Sequence, residues 1–99
     1  MILTTTNSIE GYNIVNYLGI VTGVSMNKEG IGMGFSMSKY YGKIQSSIET
    51  VKEEAFQNLL DNANKLKANA VVGIKVEIEL TTHNYAMVSV TGTAVKVIL

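Results

Sequence analysis

The sequence predicts an α+β fold: an antiparallel β-sheet with one long helix across it, in the order ββαββ. Three patterns carry this expectation. An apolar stripe at helical spacing runs through residues 43–68, strict alternation runs from Ile74 to Leu80, and two long stretches rich in Val, Ile and Tyr flank them. With 99 residues there is room for one core, so residues 1–99 are read as a single domain.

Taken in order, Ile2-Leu3 followed by Thr4-Thr5-Thr6 reads as a short strand, because branched Cβ atoms suit a pleated surface. Asn7-Ser8 and Glu10-Gly11 are turn-forming pairs that reverse the chain. Tyr12 to Met26 is extended, and both of its parities are apolar or small, so both faces are expected to be covered. Ile14, Leu18, Ile20, Val24 and Met26 share one parity; Val15, Tyr17, Gly19, Val21 and Gly23 hold the other. Asn27 to Gly42 has no period and includes Gly30, Gly32 and Gly34; a loop of this length is usually functional or ordered by a neighbour.

The helix is predicted over Lys43 to Ala68. Ile44, Ile48, Val51, Ala55, Leu59, Ala63 and Leu66 step by threes and fours, and Phe56 and Leu60 widen the stripe. Ile74, Val76, Ile78 and Leu80 then point one way and Lys75, Glu77 and Glu79 the other, a half-buried strand. Thr81 to Asn84 is a polar turn, and Tyr85 to Leu99 is the last strand, where Gly92 marks a bulge or a close backbone approach. A hairpin on each side of the helix follows.

One helix is about 10 Å across, whereas three or four strands make a sheet roughly 15–19 Å wide. The helix therefore leaves sheet uncovered, and Val15, Tyr17, Val21, Val95 and Val97 are expected on the open side. Each Å² of apolar surface left wet forgoes about 25 cal/mol. Another copy of the chain is the expected cover; folding back of the Gly-rich loop is the alternative.

Composition narrows the function classes. Eight basic and eight acidic residues cancel, so no field draws in nucleic acid or an anionic membrane. The absence of cysteine excludes disulfides, thiolate metal sites and a cysteine nucleophile. The N-terminus lacks the pattern of a signal peptide and no apolar run is long enough to span a bilayer, so a cytoplasmic location is expected.

Few residues suggest chemistry. Gly30-Ile31-Gly32-Met33-Gly34 lacks the spacing of a dinucleotide loop and the ending of a P-loop. Phe35, Tyr40 and Tyr41 with Lys39 and Lys43 combine aromatic and basic groups, chemistry that suits an anionic ligand or subunit packing. His83 is the sole histidine and needs partners to hold a metal. Glu49 and Glu53 share a helix face beside Lys52, as a hydrated surface does. No nucleophile, base and orienting group assemble, so the expectation is a protein that is not an enzyme.

Successive segments resemble the motifs of the YbjQ-like family, described as putative heavy-metal-binding. They are Ile9-Glu10-Gly11, Tyr17-Leu18-Gly19-Ile20-Val21-Thr22-Gly23, Ala68-Asn69-Ala70-Val71-Val72-Gly73 and Ser89-Val90-Thr91-Gly92-Thr93-Ala94-Val95. The resemblance runs nearly end to end. It implies a dodecin-like βαββ core and a pentameric ring, with a metal ion as possible ligand by family label. This sequence departs from the family where some members carry a cysteine (Leu18), a glutamate (Val24) and a glycine (Lys67). The expected function is a non-enzymatic oligomeric binding protein taking a metal ion or small anion between subunits; the alternative is a purely structural ring. Candidate ligand-binding residues are Phe35, Lys39, Tyr40 and Tyr41, with Thr5, Thr22 and Glu10 nearby, and no metal ligands are assigned.

Overall fold

A computed structural model describes residues 1–27, 37–80 and 85–99, with the backbone alone over 37–47. The elements are β1 (Ile2–Leu3), β2 (Asn13–Met26), α1 (Met37–Lys65), β3 (Ala70–Leu80) and β4 (Ala86–Ile98). The four strands form one mixed sheet in the order β1-β3-β4-β2. β3 and β4 make the antiparallel hairpin that the alternation predicts, and β2 pairs antiparallel with the other side of β4.

The hairpin expected before the helix does not form. β1 pairs parallel with β3, through Ile2 with Ala70 and Leu3 with Val71, and lies at the opposite edge from β2. The turn residues do reverse the chain, as the bond from Tyr12 N–H to Ile9 O shows, but a turn says nothing about which strand the chain left behind. The sheet is therefore mixed, not wholly antiparallel. The segment between β1 and β2 also corrects the expected open surface. Ile2, Ile9 and Ile14 pack on Ala70, Val72, Val95 and Val97, so Val95 and Val97 are buried by the N-terminal arm.

The helix begins six residues before its predicted start and spans 29 residues, about 43 Å. Its stripe, Val51, Ala55, Leu59 and Ala63, is buried against Val21, Val88, Val90 and Ala94. The contacts of α1 are with β2 and β4, which leaves β3 beside it rather than beneath it. Gly23 permits the close approach: a Cβ there would lie 2.6 Å from Leu59 N and closer still to Ala55 O. Gly92 is a second close approach, its missing Cβ falling 2.6 Å from Val71 Cγ1.

The helix ends in a left-handed turn. Lys67 has φ 62°, its N–H donates to Asn64 O at 2.9 Å, and Ala68 N–H donates to Ala63 O at 3.1 Å. This is the Schellman pattern, with lysine where glycine is the easy residue. Asn69 then begins the return to the sheet. Its side chain donates to Val97 O at 2.9 Å and accepts from Val97 N–H at 2.8 Å, pairing as a peptide group would.

Two register shifts in β2, between Ile14 and Asn16 and between Tyr17 and Gly19, explain why its parity misleads. Each inserts a residue and turns the following side chains over. Leu18 consequently joins Val21 on the helix side, whereas Ile20, Val24 and Met26 stand on the other.

Candidate functional site

On the side away from the helix, beyond the N-terminal arm, the sheet is open among the described residues. Along β2, Tyr17 and Ile20 are 73% and 79% exposed, and Val24 and Met26 about half exposed. The expectation of an uncovered face thus holds for Val15 and Tyr17, while Val21 lies under the helix. Beside this apolar row the register sets a hydroxyl row on β4 and a charged row on β3. Thr22 stands opposite Thr91, and Thr91 opposite Lys75; Val24 stands opposite Ser89, and Ser89 opposite Glu77. Thr22, Thr91 and Lys75 are all exposed, so two hydroxyls and an ammonium share one rung.

The outer edge of β2 is covered differently. Asn62 Nδ2 donates to Thr22 O at 2.8 Å and Asn58 Nδ2 to Val24 O at 3.0 Å, while Ser25 Oγ donates to Glu54 Oε2 at 2.7 Å. An edge strand presents a row of main-chain groups with no strand to pair them. Here helix side chains take that place. A cleft of about 350 Å³ runs between edge and helix, lined by Thr22, Gly23, Val24, Asn58, Asp61, Asn62 and Lys65.

The candidate residues occupy separate places. Thr5 is in the arm beside β3, Glu10 in the turn before β2, and Thr22 on β2 at the far edge, all three exposed. Lys39, Tyr40 and Tyr41 lie in the first turns of α1, where the backbone alone is described. Asn62 marks the level of Thr22, and Tyr41 is 21 residues earlier, about 30 Å along the axis. Within one chain these groups do not meet. Phe35, the Gly-rich segment over 28–36 and His83 lie outside the described residues.

Sequence reading missed Lys75 as a neighbour of Thr22, because the strand between them is β4 and the pairing partner is not visible in alternation. It also missed Asn58 and Asn62, whose spacing of four places both amides on the helix flank facing β2.

A family model described as "Putative heavy-metal-binding" matches residues 1–98. The chain belongs to this YbjQ-like family. Similar proteins include a UPF0145 protein of Corynebacterium jeikeium, 40% identical over 107 residues covering 96% of this chain and 97% of that one. A UPF0145 protein of Anoxybacillus flavithermus is 36% identical over 102 residues, covering 97% of each. Among solved structures, a protein of unknown function from Pediococcus pentosaceus, described as a member of the DUF74 family, superposes with a TM-score of 0.69 at 20% identity. That match covers 99% of this chain and 98% of the other, and it shows that the fold is shared.

The YbjQ-like label can be set against the donors present. Among the described residues no three His, Cys, Asp or Glu side chains gather to hold a metal. Leu18, where some members are expected to carry cysteine, packs under the helix, while Val24 stands on the opposite face. The two positions could not grip one ion in this chain, and neither side chain has a donor atom. The described residues do not fit a heavy metal. No helix among them is long and apolar enough to cross a membrane.

Proposed function

We propose that this YbjQ-like protein is a non-enzymatic binding protein that works as a ring of identical copies and holds a small anion where copies meet. The exposed β2 row of Tyr17, Ile20, Val24 and Met26 carries the reading, because it is an apolar strip that nothing among the described residues covers. Burying it on the next copy recovers about 25 cal/mol for each Å² removed from water. Pentameric closure is the form the family resemblance suggests.

The ligand class follows from the donors beside that strip. The hydroxyls of Thr22 and Thr91 with the Lys75 ammonium suit an oxyanion, whereas a cation would meet a like charge at Lys75. Lys39, Tyr40 and Tyr41 of a second copy are the groups we expect to complete the site across the interface; Phe35 lies outside the described residues.

Native mass spectrometry tests both parts at once. The expected particle is a closed multiple of 10.7 kDa that retains phosphate or sulfate and ignores a panel of transition metals. Lys75→Ala and Thr22→Val should release the anion and leave the ring. A bare ring under every condition would favour a scaffold without ligand; a folded 10.7 kDa monomer at micromolar concentration overturns the reading.

A further inference from the structure

The helix is longer than the sheet it lies on. Three side-chain bonds mark the levels: Asn62 donates to Thr22 O, Asn58 donates to Val24 O, and Glu54 accepts from Ser25 Oγ. β2 ends at Met26, just past Ser25, so residues 37–50 of α1 run on beyond the last rung by about 20 Å. No described strand lies beneath them. The apolar stripe does not stop where the sheet does. Tyr41, Ile44 and Ile48 lead into Val51 and Ala55 by steps of three and four, so one helix face continues past the core it buries. Gly42 and the pair Tyr40-Tyr41 give this stretch poor helix propensity, so a packed face has to supply its stability.

We infer that this projecting start of α1 lies on the open sheet face of a second copy, along Ile20, Val24 and Met26. The inference rests on the ring proposed above and names what covers its apolar strip. Three observations match the two surfaces. In length, Ile20 to Met26 is six residues of strand, about 20 Å, and the free helix is as long. In width, β2 to β3 across β4 is two strand spacings, about 10 Å, which is one helix diameter. In charge, residues 37–48 carry Lys39 and Lys43 and no acidic group. The β3 side of the open face carries Glu77 opposite Ser89 and Glu79 opposite Met87, with Lys75 the one cation, and all three are exposed. An apolar row beside net negative charge thus meets an apolar stripe beside two lysines.

Row against row across a two-fold axis would cover both strips and leave both helix starts bare. Helix on face covers strip and stripe with one interface. The two surfaces differ, so the contact is heterologous: each copy gives one helix start and receives one, and the chain of copies closes at whatever number its rotation sets, five included. The same contact explains why the candidate residues are split. Thr22 and Tyr41, about 30 Å apart in one chain, come to one face from two chains.

A mixing experiment decides it. Ile44→Asp spoils the helix start and Ile20→Asp spoils the face. Each variant alone should be a monomer by native mass spectrometry, with helix and sheet retained by circular dichroism. Mixed in equal amounts they should form pairs and nothing larger, because one sound helix start then meets one sound face and the remaining surfaces are spoiled. Lys43→Glu should weaken assembly of the otherwise unaltered chain about tenfold, and Glu77→Lys in the same chain should restore it. An assembly untouched by Ile44→Asp but lost with Ile20→Asp overturns the inference and leaves the proposed ring standing. A mixture that rebuilds the full particle, or a charge reversal that Glu77→Lys fails to repair, also overturns it. A folded monomer of the unaltered chain sinks the ring and the inference together.

Discussion

The two edges of this sheet are finished in different ways. Beside β2 the helix presses down at Gly23, and Asn58 and Asn62 reach over to take the carbonyls of Val24 and Thr22. Beside β3 a short arm pairs with the first residues and stops at Ile74, and among the described residues nothing pairs with the outer edge of Lys75 to Leu80. An edge strand is a template for any passing strand unless something occupies it. The difference teaches that an edge is finished locally: amide side chains cover carbonyls on one, and a short arm pairs with the first residues of the other.

The largest way to break this contrast is Gly23→Ala. The added methyl meets backbone atoms of Ala55 and Leu59, which cannot move without lifting the helix. Loss of about 4 kcal/mol or more is expected, read as the collapse of cooperative urea unfolding. Asn69→Ala acts near the arm-covered end of β3, removing both bonds to Val97 and leaving that N–H and C=O unpaired at a partly buried site. It should cost about 2–3 kcal/mol in the same measurement.

Asn58→Ala combined with Asn62→Ala sharpens the comparison. These bonds are exposed, so their loss should cost only about 1 kcal/mol in total. The larger readout is association: with its carbonyls uncovered, β2 should aggregate through its edge, seen as faster thioflavin binding than in a control variant destabilised by the same amount elsewhere. The smallest effect is a gain. Lys67→Gly relieves the left-handed backbone at φ 62° and should stabilise by about 0.5–1 kcal/mol. The gain should be lower at low salt, where the lysine charge favours the helix C-terminus.

Much of this architecture was legible from residue order. The stripe from Val51 to Ala63 records a periodicity that tertiary context did not override. The alternation from Ile74 to Leu80 gave the strand, but only Ile74 of its apolar set is buried; Val76, Ile78 and Leu80 stay exposed because α1 packs on β2 and β4. Lys67 was visible as an awkward helix end because the sequence there lacks glycine. What failed were statements about partners. Ile2-Leu3 is too short a strand to reveal that its partners, Ala70 and Val71, lie on the far side of the helix, and alternation in Tyr12 to Met26 was scrambled by two bulges that leave no mark in composition. The candidate residues were chosen for chemical type, and type carries no distance; hence Thr22 and Tyr41 proved to be about 30 Å apart in one chain. Lys75 was read as half of a polar face, and its place beside Thr91 needed the register of β3 on β4.

Asn69 has one more consequence. Its amide both gives and receives at Val97, so exchanging one nitrogen for oxygen would set two acceptors against each other. Deamidation makes that exchange spontaneously as proteins age. Were it to happen at this position, the damage would fall on the seam between helix and sheet, where a single side chain impersonates main chain.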